Sequence, residues 1–370
     1  MYSYPDWSIF FPDFQLPIRR VESTHMGSYF AAYLIPLSAV IGLWAGGPWS
    51  WLTVGLVYGL VPLLDQAVGR SPVNLDEAAQ AAAARSRSAD GALYLALPVQ
   101  CGVLLLLAVV WQGEAGLLER LGWIASAALS CGGLGIVIGH ELVHRRDRTL
   151  YWLGKCLLGS VLYTHFAVEH VRGHHARVGT DADPASARQG QSVYAFIPRS
   201  IIRQFLSAWD LETHRLARAG QGAWTLRNEV LVGWGLQAVW LAGIAAVFGL
   251  EVMGVMIVVA ALAVTLLEVV NYIEHYGLRR HTGPDGRLEP VRAQHSWNSD
   301  HLVSRRLLFE LPRHTDHHMN GGRPYQTLRS VAGAPQLPAG YPTMVLLALL
   351  PPLWFRVMDP RVAAVSATAA

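Results

Sequence analysis

The chain has 370 residues, of which 52% are hydrophobic and only 15% charged, against about 25% charged in soluble domains, and its mean hydropathy is +0.29. This composition excludes an ordinary soluble enzyme. A formal net charge of +3 without a polybasic arm leaves no footprint for nucleic acid; three cysteines in apolar segments, Cys101, Cys131 and Cys156, none in a CxxC pair, exclude a disulfide framework and a thiolate metal site.

The first twenty residues are aromatic and broken by Pro5, Pro12 and Pro17, unlike a cleaved signal peptide, so the first apolar stretch is expected to direct insertion. Stretches close to the roughly 20 residues needed to cross a bilayer run Tyr29 to Ala45, Trp49 to Ala67, Leu93 to Trp111, Leu121 to Gly139, Val230 to Phe248 and Val252 to Val270. They predict six transmembrane helices in three hairpins, with Trp44, Trp49, Trp51 and Trp111 near span ends as an interfacial aromatic belt. The alanine-rich, charged stretch Leu75 to Asp90 predicts a short surface helix. Two more apolar stretches read as interfacial or re-entrant: Leu150 to Val168, which carries Lys155 and His165, and Tyr341 to Met358, split by Pro351 and Pro352. The tail from Val362 to Ala370 reads as disordered. With these six spans, every one of the 29 basic residues except Arg120 falls on one side, a strong positive-inside pattern that puts both ends in the cytoplasm. The expected fold is therefore an all-α integral membrane protein, a single domain over 1–370, with a cytoplasmic helical cap built from residues 140–229 and 271–361.

Nine of the fifteen histidines fall in four tight groups: His140 and His144 in GHELVHRRD, His170, His174 and His175 in EHVRGHH, His275 in NYIEHYG, and His314, His317 and His318 in LPRHTDHH. Residues three or four apart share a helix face, so His140/His144, His170/His174 and His314/His317/His318 can each aim imidazoles at one point. Neutral imidazole is a common ligand for iron, zinc and copper, and nine exceed what one ion accepts, so two metal ions are expected. A seventh span between His144 and His170 would put two groups on opposite sides of the membrane, which argues for six. Glu141, Glu169, Glu274 and Asp316 stand beside or close to these histidines and are expected to orient them through the second ring nitrogen. His25, His165, His214, His281, His295 and His301 lie outside the groups and read as surface, interface or supporting residues. HELVH also fits the HExxH of zinc metalloproteases, but a protease needs only one further ligand and leaves about six clustered histidines without a role. A histidine-rich metal transporter would place ligands inside the spans or in disordered tracts, not at ordered helix ends.

These four motifs resemble those of membrane-bound alkane monooxygenases within the membrane desaturase and hydroxylase superfamily. The likeness extends to QHSWNSDHLVS at Gln294 to Ser304, YQTLR at Tyr325 to Arg329, LPAGYP at Leu337 to Pro342, VMDPRV at Val357 to Val362 and PLLD at Pro62 to Asp65, and so covers most of the chain. Eight of the histidines are shared in outline with desaturases, whereas NYIEHYGL with His275 is more diagnostic of alkane monooxygenases. Pro312, often Gln in relatives, and MNGG after His318 are small departures. The resemblance implies a non-haem di-iron centre of two Fe ions, with O₂ as co-substrate, that hydroxylates the terminal methyl of medium- to long-chain n-alkanes taken from the bilayer. It also implies electrons from rubredoxin and an NADH-linked rubredoxin reductase as separate chains, and a bacterial inner membrane location with the site facing the cytoplasm. Val57 occupies the place where a bulky aromatic is thought to limit chain length in relatives, so it is expected to line the substrate channel. Hydroxylation of aromatic methyl groups or of fatty acyl ω-positions, and less so desaturation, are the rivals within the superfamily.

Overall fold

The computed structural model describes residues 26–283 and 286–369; the amino-terminal segment and His25 lie outside the described residues. Among the described residues, six helices are long and apolar enough to cross a membrane: Gly27–Ala45, Gly47–Val68, Arg87–Val110, Leu117–Val143, Glu229–Phe248 and Leu250–His275. They form three hairpins with very short turns. Gly46 and Gly47, at φ 65° and 52°, turn the first span into the second, and Glu119 Oε1 accepts from the Gly47 amide at 2.8 Å. A Cβ on Gly46 would lie 2.3 Å from that carboxylate oxygen. Gly249, at φ 88°, is the whole connection between the fifth and sixth spans. The fourth span is the most buried, while the second and fifth are exposed along most of their length. Leu104, Leu107, Trp123, Ile136, Val259 and Ala263 form the main apolar core between them.

Several boundaries differ from the sequence expectation. The fourth span runs on to Val143 and the sixth to His275, so His140 and His275 sit in the last turns of spanning helices rather than just after them. The expected helix over Leu75 to Asp90 is divided at Arg85: Glu77–Ala84 is one helix, capped by Asp76, and Ser86 then caps the start of the third span. The carboxy-terminal tail is not disordered, because Pro351–Ala369 forms one helix and Val362 is buried in an apolar cluster with Tyr276 and Trp354.

The helix Arg148–Ser160 starts where Asp147 accepts from the amides of Thr149 and Leu150 at 2.8 and 3.0 Å. At 13 residues it is about 20 Å long, short of the roughly 30 Å hydrocarbon core. The chain turns at Leu162, φ 59°, and returns as a helix over 166–177 carrying the second histidine group. That re-entrant excursion keeps the first two histidine groups at the same end of the bundle. The pair Tyr341–Ala348 and Pro351–Ala367 is bent by 119°, and its first arm packs against the sixth span. Trp44, Trp49 and Trp51 are exposed at the opposite end of the bundle from the histidines.

Candidate metal centre

Nine histidines meet at the end of the bundle where the fourth and sixth spans terminate. Among the described residues they form two groups within which the ligand atoms all lie within 4.8 Å of one another: His140, His144, His170, His175 and His317 in one, and His174, His275, His314 and His318 in the other. In the first, His140 Nε2 is 2.8 Å from His170 Nε2 and 3.0 Å from His317 Nε2, and His175 Nε2 is 3.1 Å from both. In the second, His318 Nε2 lies 3.0 Å from His314 Nε2 and 3.2 Å from His174 Nε2, and His314 Nε2 lies 3.1 Å from His275 Nε2. The groups abut, with the rings of His175 and His318 stacked at 4.4 Å. The other described histidines belong to neither.

The partition differs from the one expected by helical spacing, and a π turn explains it. Residues His170–His174 form a π-helical segment, in which five residues, not four, bring side chains back to the same side. His170 therefore joins His175, and His174 faces the other group. The short helix His314–Met319 is divided as well: His314 and His318, four apart, serve one group while His317 serves the other.

The donor set suits divalent metal. Burial, with neighbouring imidazoles adding to it, holds His170, His314, His317 and His318 well below the usual histidine range and His144 at about 3, so these rings are neutral with a lone pair to offer. A neutral imidazole has one N–H, so several converging Nε2 atoms cannot satisfy one another by hydrogen bonding. Two nitrogens each about 2.1 Å from a shared ion at right angles are about 3.0 Å apart, which is the spacing found here.

The four acidic neighbours do not play the part expected of them. Glu141 pairs with Arg145 at 2.6 Å and accepts from the Tyr325 amide at 3.3 Å; engaged with these partners rather than with the histidine group, it is also misplaced for a metalloprotease base. Glu169 pairs with Arg177 at 2.8 Å and accepts from Ser207 at 3.3 Å. Asp316 accepts from the Arg329 amide at 2.9 Å and from Asn320 Nδ2 at 2.9 Å. Glu274 does reach a histidine, but at the inward-facing Nε2 of His314, 3.3 Å away, and its other oxygen accepts from Tyr341 Oη at 2.8 Å. The orienting role belongs instead to Asp183, whose Oδ2 lies 2.9 Å from His174 Nδ1 and accepts from Ser186 at 2.6 Å. Burial lowers His174, but the Asp183 carboxylate outweighs it and leaves the ring raised. With Nδ1 donating to Asp183, Nε2 faces the other histidines and offers its lone pair once it gives up its proton to a bound metal. Nothing in the spacing of Asp183 announces this, since it lies in a turn nine residues beyond His174.

The family-like segments are the scaffold of the centre. Asn298 accepts from the Thr315 amide at 2.9 Å and donates to Thr315 Oγ1 at 2.7 Å, fixing the start of the helix that carries three histidines. The Trp297 amide donates to Glu274 O at 2.8 Å and thereby ties down the end of the sixth span. Asp65 accepts from the Ser304 amide at 2.9 Å, Arg313 donates to Leu328 O at 2.6 Å, and Tyr276 donates to Asp359 at 2.6 Å.

An apolar cavity leads into this centre. Val57, Val61, Leu129, Ile136, Phe166 and Leu266 form its wall, and His140, His170, His314 and Glu274 lie at its inner end. Val57 belongs to a second π-helical segment, Leu56–Leu60, and a third, Cys131–Ile136, presents Gly132 and Gly133 to the same space.

Residues 115–348 match the model of the fatty acid desaturase family. An alkane 1-monooxygenase 2 of Pseudomonas aeruginosa is 42% identical over 350 residues, covering 90% of this chain and 92% of the relative, and alkane 1-monooxygenase 1 of the same organism is 42% identical over 364 residues, covering 96% and 94%. The chain belongs to the alkane 1-monooxygenase family. It is also similar to the xylene/toluene monooxygenase hydroxylase component of Pseudomonas putida, at a lower 30% identity over 338 residues, 88% of this chain and 86% of that relative. As a member of this family it is a multi-pass membrane monooxygenase, and its buried imidazoles are the place where a monooxygenase metal could be held.

Proposed function

We propose that this monooxygenase hydroxylates the terminal methyl group of medium- to long-chain n-alkanes, using O₂, two iron ions and electrons from a separate rubredoxin served by an NADH-linked reductase. The observation that carries the reading is the apolar cavity that ends on both histidine groups. An alkane presents nothing polar to grip, so only shape and exclusion of water can position it. The five-histidine and four-histidine groups would each hold one iron. Bound there, iron with O₂ supplies an oxidant able to attack an unactivated C–H bond, which zinc cannot. The balance is one oxygen atom to the alcohol and one to water, with two electrons and two protons consumed.

The protein's own part follows from the cavity. Val61, Leu129, Ile136 and Leu266 exclude water and hold the chain extended, while Phe166, stacked on His170 at 4.6 Å, packs beside the imidazoles. Glu274 and Tyr341, hydrogen-bonded to each other, are polar groups at the inner end; with Oε1 accepting from Tyr341, Glu274 Oε2 is the oxygen that can hold a proton beside the cavity. The positive-inside distribution of basic residues supports a site on the cytoplasmic face of a bacterial inner membrane, where a soluble electron carrier has access.

The test is direct. Purified protein with rubredoxin, its reductase, NADH and octane or hexadecane should yield the primary alcohol, and metal analysis should find two irons per chain. A fully iron-loaded preparation that forms no alcohol would refute the alkane reading, and one ion per chain would refute the di-iron centre. Because Val57 faces the cavity, Val57→Trp should shift the product profile toward shorter alkanes, read by competition between octane and hexadecane. The higher identity to the alkane enzymes than to the xylene/toluene component ranks an aromatic methyl group second, and toluene in the same assay tests it.

A further inference from the structure

A second pocket lies where the fourth span leaves the membrane and the fifth enters it, beside the re-entrant helix. Arg146, Arg148, Arg172, Arg215 and Arg227 line it together with Arg145, whereas Glu229 is the one carboxylate among the described residues on its wall. The charges behind it are already matched. Glu229 is engaged by Arg172 and by Tyr151 Oη, and lies 3.6 Å from Lys155. Glu212 pairs with Arg172 and, at 2.8 Å, with Arg215, and Arg145 pairs with Glu141. Asp147 spends its carboxylate oxygen on the amides of Thr149 and Leu150. Arg146, Arg148 and Arg227 remain, exposed, with no side-chain partner among the described residues.

Position decides what these three cations face. They flank Val143, the last residue of the fourth span, and Glu229, the first of the fifth, which sets the pocket at the depth of lipid headgroups. Its wall also includes Trp152, Leu226 and Val232. Leu226 is 90% exposed and nearby Trp224 is 80% exposed, an arrangement suited to acyl chains and the interface rather than to water. A basic pocket between membrane helices, with an apolar rim, matches a phosphate-bearing headgroup with tails alongside.

We propose that this pocket binds the headgroup of an anionic phospholipid from the surrounding bilayer, with Arg146, Arg148 and Arg227 on the phosphate and Trp152 and Leu226 against the glycerol and upper acyl chain. The site is separate from the histidine centre and does not depend on what that centre oxidises.

The test uses the full-length purified protein titrated with short-chain phosphatidylglycerol, phosphatidylcholine or inorganic phosphate and read by native mass spectrometry. Saturable uptake of one phosphatidylglycerol per chain, with phosphatidylcholine weaker, is expected. At about 1 kcal/mol per arginine, neutralising all three in R146Q/R148Q/R227Q should weaken that binding on the order of 100-fold, while R146K/R148K/R227K should retain most of it. The lysine variant keeps the test decisive if the glutamine variant does not fold. Equal binding by wild type and the glutamine variant would overturn the proposal, as would displacement by inorganic phosphate at the same concentration, which would mark a free-anion site. Loss of rubredoxin-supported turnover in the glutamine variant with lipid binding unchanged would overturn it too, in favour of a protein docking surface.

Discussion

His174 depends on a carboxylate that sequence spacing does not reveal. Asp183 is buried, bonded to Nδ1 of that ring, and held in turn by Ser186. Asp183→Asn keeps the volume but removes the charge that fixes the tautomer. Metal affinity is expected to fall about 10- to 100-fold, measured by chelator titration with metal analysis; an unchanged affinity would deny Asp183 this role. Glu310 is the other residue on which much converges. Arg305 and Arg306 pair with it at 2.7 and 3.0 Å, and Arg313 approaches to 3.5 Å. Phe309 and Glu310 both have positive φ, 50° and 58°, so the ion cluster pins a strained turn just before His314. Burial pushes Glu310 up, but Arg305, Arg313 and Arg306 outweigh it and bring the carboxyl from 4.5 to about 2. A depressed folded value means that this stabilisation is complete above the unfolded pKa and is lost as pH falls from about 4.5 toward 2. Glu310→Gln should cost on the order of 3 kcal/mol at neutral pH by stranding buried arginines. Its melting temperature in detergent should also fall less steeply than that of the wild type below about pH 4.5.

At the scale of elements, close helix approach and π turns do what amphipathic periodicity cannot. A Cβ on Gly154 of the re-entrant helix would lie 2.9 Å from the backbone oxygen of Gly139 and 2.9 Å from Leu142 Cβ, so the two helices touch through glycine, as small residues allow within membranes. Gly154→Ala should cost about 1–3 kcal/mol. Because Gly139 precedes His140, metal should also be retained less firmly; thermal unfolding in detergent and metal content read the two effects. The three π-helical segments among the described residues, Leu56–Leu60, Cys131–Ile136 and His170–His174, all lie against the cavity or the histidines. Each shifts side chains downstream of it out of α-helical phase, and at His170–His174 that shift sorts one run of histidines between two groups.

For the whole molecule, the short hairpins and the re-entrant helix bring all nine clustered histidines to one end, and the distribution of arginine is the reason to propose that this end faces the cytoplasm. A reporter active only in the cytoplasm should work when inserted near Gln221, between the fourth span and the fifth, and fail near Gly113, between the third and the fourth. The opposite result would invert the proposed topology and with it access by rubredoxin.

The sequence alone determined the number of spans, their hairpin pairing, and the nine histidines now found together, because hydrophobic length and clustered imidazoles are local properties that each stretch carries by itself. The family-like segments around Gln294, Tyr325 and Leu337 were legible as a resemblance, but their work as supports for the histidine helix and the end of the sixth span was not. The tertiary structure decided how the imidazoles divide into five and four, that Asp183 rather than the neighbouring acids orients a ring, and that Val57 looks into the cavity. Those outcomes depend on one inserted residue in a π turn and on contacts between distant segments, and neither leaves a periodic trace along the chain.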